Sequence, residues 1–91
     1  MTLYIDQPYW PGHGRLWAHL VSDESFGELH LFASIAGLPR HGFDGDHYDV
    51  PSEYWLIIVE WGVIQTDSKD VVRRLHGAGL RRPKHLRQRN T

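Results

Sequence analysis

Four consecutive residues, Asp46, His47, Tyr48 and Asp49, bring two carboxylates, an imidazole and a phenol together. Such a set can coordinate a metal ion, move a proton or hold a polar ligand. In extended chain, side chains alternate between faces, so His47 and Asp49 leave one side and Asp46 and Tyr48 the other. His47 and Asp49 can then share a divalent metal, or Asp49 can orient His47 as a proton acceptor. A turn at this point would change those directions. The plainer reading, given equal weight, has Asp46 and Asp49 capping turns, His47 in solvent and the Tyr48 ring packed.

A second polar set lies upstream at His13, Arg15, His19 and Asp23, with Asp6 before it. His19 falls in an apolar stretch, and Trp17, two residues away, shares its strand face. An aromatic wall beside an imidazole can stack a planar ligand, or the pair can simply be core. Asp23 follows at the strand end, as a site carboxylate or as a helix N-terminal charge. Asp6, also at a strand end, is either a metal ligand or acid/base group, or a turn cap. In Pro11-Gly12-His13-Gly14-Arg15, glycine amides can approach an anion while Arg15 adds its fork of donors. Arg40 and His41 can join that anion site or face solvent. This loop matches neither the dinucleotide-binding nor the long phosphate-binding glycine pattern. His30 lies on a helix, lining the site or facing a surface.

If folding unites the two stretches, His19, His47 and Asp49 are the catalytic candidates. Arg15, Trp17, Arg40 and Tyr48 are the ligand-binding candidates, and Asp6, Asp23, His47 and Asp49 the metal ligands.

The elements that must position these residues can be read from spacing. Thr2–Ile5 and Leu16–Val21 alternate as strands, with a Pro- and Gly-rich loop over 7–14 between them. Ser25-Phe26-Gly27-Glu28 has the spacing of a capping box, in which the Glu28 carboxylate returns to the Ser25 amide. Phe26, Leu29, Ala33 and Ala36, widened by Phe32 and Ile35, make the apolar stripe of a helix over 26–36, stopped by Gly37. Residues 38–49 read as a loop with one short extended piece. Trp55–Val59 suits a buried strand as well as a helix. Pro51, Glu53 and Gly62 favour the helix, with Tyr54, Ile57, Ile58 and Trp61 on one face. Val63–Thr66 is a short strand, after which Thr66 can cap a helix whose Asp67, Asp70, Arg73 and Arg74 complement its dipole. Val71, Val72 and Leu75 supply that helix's buried face, and Gly77 offers a stop. Alternating strands and helices predict a small α/β fold, one sheet of three or four short strands packed with about three helices.

Ninety-one residues suit one domain, expected over 1–80. All eleven acids and five of the ten Lys and Arg residues lie there, while 81–91 carries the other five bases and no acid. That basic tail is expected to be flexible, and can solubilise the chain or meet nucleic acid. With no cysteine, disulfides, thiolate metal sites and cysteine nucleophiles are excluded. No signal peptide or membrane span is evident, so a cytoplasmic protein is expected.

Y-I-D near the start, G-R-L-W-A-H-L-V-S-D at 14–23 and E-L-H-L-F-A at 28–33 resemble the DUF4031 family of small bacterial and bacteriophage proteins. So do D-H-Y-D-V-P at 46–51, G-V-I-Q-T at 62–66 and V-V-R-R-L at 71–75. In that family the segment matching Trp55–Trp61 is plainly helical, and a second carboxylate often stands where this chain has Gln7. The family is one of unknown function, so the resemblance implies positions rather than a reaction.

The function expected from the residues is metal-dependent hydrolysis, or binding, of a phosphorylated or nucleotide-like small anionic ligand. The alternative is a non-catalytic regulatory or nucleic-acid-interacting protein using its basic tail. A homodimer covering exposed Trp and Ile residues is a further expectation.

Overall fold

Leu3, Tyr4 and Ile5 are all buried, because the strand they form, β1 (Leu3–Ile5), has both faces covered. A computed structural model describes residues 2–82, arranged as a five-stranded mixed sheet with three helices. The spine is β3 (Arg15–Ser22). One edge of β3 pairs antiparallel with β1, Ile5 opposite Leu20, and further along with β2 (Trp10–Gly12), Trp10 opposite Trp17. Its other edge pairs antiparallel with β4 (Tyr48–Pro51), placing His19 opposite Asp49 and Leu20 opposite Tyr48. A short β5 (Ile64–Gln65) runs parallel to β1.

β2 lies inside the segment read as a loop. Its turn residues, His13 and Gly14, have φ of 50° and 72°. Two successive positive φ values make the two-residue turn whose twist matches a β-hairpin. Pro11 is tolerated because β2 pairs on one side only, where a missing N–H costs least.

Helix α1 (Phe26–Ala36) occupies the expected residues. Ser25 accepts from the Glu28 amide, and Gly37 closes the helix at φ 79°. The Glu28 carboxylate departs from the expected capping box. It accepts from the Ser22 hydroxyl at 2.7 Å, and Ser22 Oγ in turn accepts from the Ser25 amide. Leu29, Phe32 and Ala33 are buried, whereas Ile35 is 67% exposed and leaves the predicted stripe.

Trp55–Val59 is helical, within α2 (Ser52–Glu60), but its buried side differs from the predicted one. Ile58 is buried with Trp55 and Val59 packed against the core, while Tyr54, Ile57 and Trp61 are exposed. In α3 (Ser68–Gly77) the cap is Asp67, accepting from the Asp70 amide at 2.7 Å. Thr66 instead donates to the Asp70 carboxylate at 2.6 Å. Positive φ past this helix falls at Gly79 rather than Gly77.

Pleating divides the core. Leu3, Ile5, Ala18 and Leu20 join Leu29, Ala33, Ile58 and Val50 in one cluster, with α1 and α2. Tyr4 and Val21 meet Val71 and Leu75 of α3 in a second. On β3 the residues in phase with Val21 are His19, Trp17 and Arg15, so they share the α3 face of the sheet. No helix among the described residues is long and apolar enough to cross a membrane.

Truncating fully buried Leu20 to Ala should cost about 2–5 kcal/mol by urea denaturation. Ile35→Ala, on the exposed side of α1, should stay within about 0.5 kcal/mol. Equal losses would contradict this assignment of faces.

Candidate metal centre

The β3–β4 register sets His19 and Asp49 side by side, and His47, two residues before Asp49, projects to the same side. Nε2 of His47 is 3.2 Å from Asp49 Oδ1, and Nε2 of His19 is 4.0 Å from the same oxygen. The two imidazole rings meet edge to face at 5.0 Å between centroids. One ligand atom from each of His19, His47 and Asp49 lies within 4.8 Å of the others, a set able to hold a metal ion.

Behind each imidazole stands a buried carboxylate. Nδ1 of His19 donates to Asp6 Oδ2 at 2.7 Å, and Nδ1 of His47 donates to Asp46 Oδ1 at 2.8 Å. Asp6 and Asp46 are 1% and 0% exposed. A carboxylate bonded to Nδ1 fixes the tautomer and aims Nε2 outward, as metal-binding histidines require.

Asp6 is held by several elements at once. Its Oδ1 accepts from the His19 amide at 2.6 Å, and its Oδ2 also accepts from Trp10 Nε1 and Ser68 Oγ. Its carbonyl accepts from Trp55 Nε1 at 2.7 Å. Burial acts to raise the Asp6 pKa, but bonds from the His19 ring and amide and from Ser68, with the His19 charge, outweigh it and lower it. Burial likewise pushes His47 down, yet its bonds to Asp46 and Asp49 and their charges raise it to about 9. In the metal-free protein His47 is thus an imidazolium at neutral pH, donating to Asp49.

An open cleft of about 890 Å³ borders the centre, with His19 and Asp49 in its wall. Trp10, Trp17 and Tyr54 line it with aromatic surface, and His13, Arg15 and His41 with cationic or protonatable groups. The volume is of the order of a small-molecule site. Trp17 is fixed by its Nε1 donating to the Gly12 carbonyl at 2.8 Å, and Arg15 pairs with Glu53 at 3.5 Å across the rim.

The structure therefore brings His19, His47 and Asp49 together, with Arg15 and Trp17 nearby. Four expected residues stand elsewhere. Asp6 backs His19 and has both oxygens occupied by donors, so it orients the imidazole and is not among the grouped ligand atoms. Asp23 lies just past the end of β3, where its charge acts on Arg74 of α3, and is outside the group formed by His19, His47 and Asp49. Tyr48 points into the core, its hydroxyl bonded to His30 Nδ1 at 2.8 Å, because it alternates with His47 and Asp49. That bond also takes His30 from the site. Arg40 does not line the cleft, where its neighbour His41 does, and its charge instead acts on His30 and Tyr48.

The supporting roles of Asp46, Trp10, Trp55 and Ser68 were not among the expected ones. The β2 hairpin carries Trp10 to His19, 5.3 Å between ring centroids, and a two-residue turn at His13-Gly14 is the signal that places it. Nothing in the spacing of Trp55 or Ser68 points to Asp6.

A family model described as a protein of unknown function, DUF4031, matches residues 3–78. No curated protein and no solved structure matches the chain.

The shifted groups bound the stability of the metal-free protein. His47 is raised from 6.5, so its contribution is full below about that pH and lost as pH rises through about 9. The loss should be on the order of 3 kcal/mol. Asp6 is lowered from 3.8, so its contribution is present above that pH and lost as pH falls through its folded value. Denaturation measured from pH 6 to pH 10 should show the alkaline decline, and His47→Gln should flatten it. A decline unchanged in His47→Gln would show another group to be responsible.

Proposed function

We propose, for a chain that belongs to the DUF4031 family, that His19, His47 and Asp49 hold a catalytic divalent metal ion serving hydrolysis of a phosphorylated, nucleotide-like ligand. The observation that carries this reading is the convergence of two Nε2 atoms and a carboxylate oxygen, each imidazole backed by a buried carboxylate. Two histidines and one carboxylate leave coordination positions for water and substrate, the pattern of catalytic rather than structural sites. A bound ion there would polarise a phosphoryl oxygen and lower the pKa of its water.

The cleft supports the ligand class. Arg15, His13 and His41 can balance phosphate charge, and Trp10, Trp17 and Tyr54 offer flat apolar surface to a planar base. We place this activity in the cytoplasm, where such ligands are abundant. Binding of the same ligand without turnover needs the same groups and is distinguished by assay. The reading that uses the basic tail over 81–91 on nucleic acid involves Arg81 and Arg82, which contact Asp46 and Phe26, and residues 83–91, which lie outside the described residues.

Leu31 and Ile35 on α1, with Leu56, Ile57 and Trp61 near α2, are large apolar side chains left in water. They support self-association through the α1–α2 side, away from the sheet face that carries the cleft. Sedimentation should then show mass rising with concentration, and an Ile35→Glu, Ile57→Glu pair should hold the chain as a monomer.

Protein prepared without a His tag should bind Zn²⁺ at near one equivalent. His19→Ala, His47→Ala and Asp49→Ala should each weaken binding by more than the roughly 10–100-fold typical of outer-shell changes. Chelation should abolish hydrolysis of nucleoside monophosphates, with turnover restored by added metal. Absence of Zn²⁺, Mn²⁺ and Co²⁺ binding by the wild-type chain would overturn the proposal.

A further inference from the structure

The two carboxylates behind the histidines are secured differently. Asp6 is gripped by donors from β2, β3 and α3, all part of the sheet and its helices. Asp46 also bonds to groups 35 and 36 residues further along the chain. Its Oδ2 accepts from Arg81 Nη1 at 3.3 Å and from the Arg82 amide at 3.2 Å. Its other oxygen accepts from His47 Nδ1.

We infer that Arg81 is a positioning residue for the metal centre, acting on His47 through Asp46, and that the segment after α3 is therefore part of the site. This rests on the metal reading proposed above. That segment is docked well enough for the task. The Leu80 side chain packs against the Tyr4, Val21, Val71 and Leu75 cluster, and the amides of Leu80 and Arg81 both donate to the Leu75 carbonyl. The Arg82 guanidinium lies 4.5 Å over the Phe26 ring at the start of α1. Between these two anchors Arg81 extends to Asp46.

Asp46 has no exposed surface, so it relies on donors in place of water. Removing a charged donor from a buried carboxylate leaves a charge with too few partners. Without that donor the carboxylate is no longer held in place and turns toward other donors, which releases the Nδ1 bond that aims His47. The sign of the effect separates this role from a field effect. Deleting a nearby cation should by Coulomb attraction alone tighten binding of a metal cation, whereas loss of positioning weakens it.

The test uses full-length chains and Co²⁺ as the probe, followed by its visible absorption. Arg81→Ala should weaken Co²⁺ binding by about 10–100-fold and change the band shape, with far-UV circular dichroism retained. Arg81→Lys should recover part of the affinity, and Arg73→Ala, an exposed arginine on α3, should leave it unchanged. In an Asp46→Asn background there is no buried charge to compensate, so Arg81→Ala should have no further effect. That double variant also serves if Arg81→Ala alone fails to fold.

A metal-independent readout is carbethoxylation of the histidines in the apo-protein, followed by mass spectrometry. Arg81→Ala should expose His47 to several-fold faster modification while His19 keeps its rate. Unchanged or tighter Co²⁺ binding in Arg81→Ala, or the same loss in the Asp46→Asn background, would overturn the inference. Failure of the wild-type chain to bind Co²⁺ would sink the metal reading alone, and the His47 modification rate would still decide whether Arg81 positions it.

Discussion

Asp6 is almost wholly buried, and a carboxylate taken out of water costs several kcal/mol unless donors replace its hydration. The donors come from places far apart in the chain: the His19 amide and ring on β3, Trp10 on β2 and Ser68 at the start of α3. Its backbone adds Trp55 of α2. Satisfying this one residue therefore aligns the hairpin, docks two helices and turns the His19 ring. The structure meets the requirement throughout, since no buried side-chain polar atom among the described residues lacks a partner.

From that constraint the site follows by strand geometry. With His19 aimed by Asp6, antiparallel pairing brings Asp49 opposite it, and the two-residue period carries His47 to the same face. The result is two carboxylate–imidazole pairs meeting at one shared carboxylate. One pair is braced by the core of the sheet, and the other by the chain after α3. The same pleat that exposes His19, Trp17 and Arg15 to the cleft sends Ala18, Leu20, Tyr48 and Val50 inward, so the larger core cluster and the site lie on opposite faces of the same two strands.

Much of this was legible beforehand. Helix α1 could be placed to the residue because Ser25, Gly37 and the Leu29–Phe32–Ala33 spacing all mark it locally. The shared side of His47 and Asp49 followed from alternation provided that the chain was extended there, and β4, which begins at Tyr48, supplies that condition. Where the structure departs from the local pattern, the cause is a partner distant in sequence. Ile35 and Leu29 are both apolar and both helical, and only the position of the sheet says which is covered. In α2 apolar residues occur on every side, so spacing pointed to Tyr54, Ile57, Ile58 and Trp61, whereas contact with the core chose Trp55, Ile58 and Val59. Asp6 was identified as a site carboxylate, but its place behind His19 required knowing that β1 lies beside β3. Pro11 and Gly12 read as loop residues, and an edge position in the sheet made them a strand.

What the chain determined by itself is its local order: helix limits set by caps and left-handed glycines, and the two-residue spacing that lets His47 and Asp49 share a side once the chain is extended. The absence of cysteine also confines any metal to nitrogen and oxygen ligands. Tertiary structure alone decided that His19 would stand across from Asp49, and that Asp6 and Asp46 would be buried behind the two imidazoles. It likewise decided that Tyr48 would be core and that Asp23 would fall outside the group of His19, His47 and Asp49. Alternation and capping act over three or four residues, whereas burial and ion pairing depend on contacts across 13 to 62 residues of chain, which no local pattern encodes.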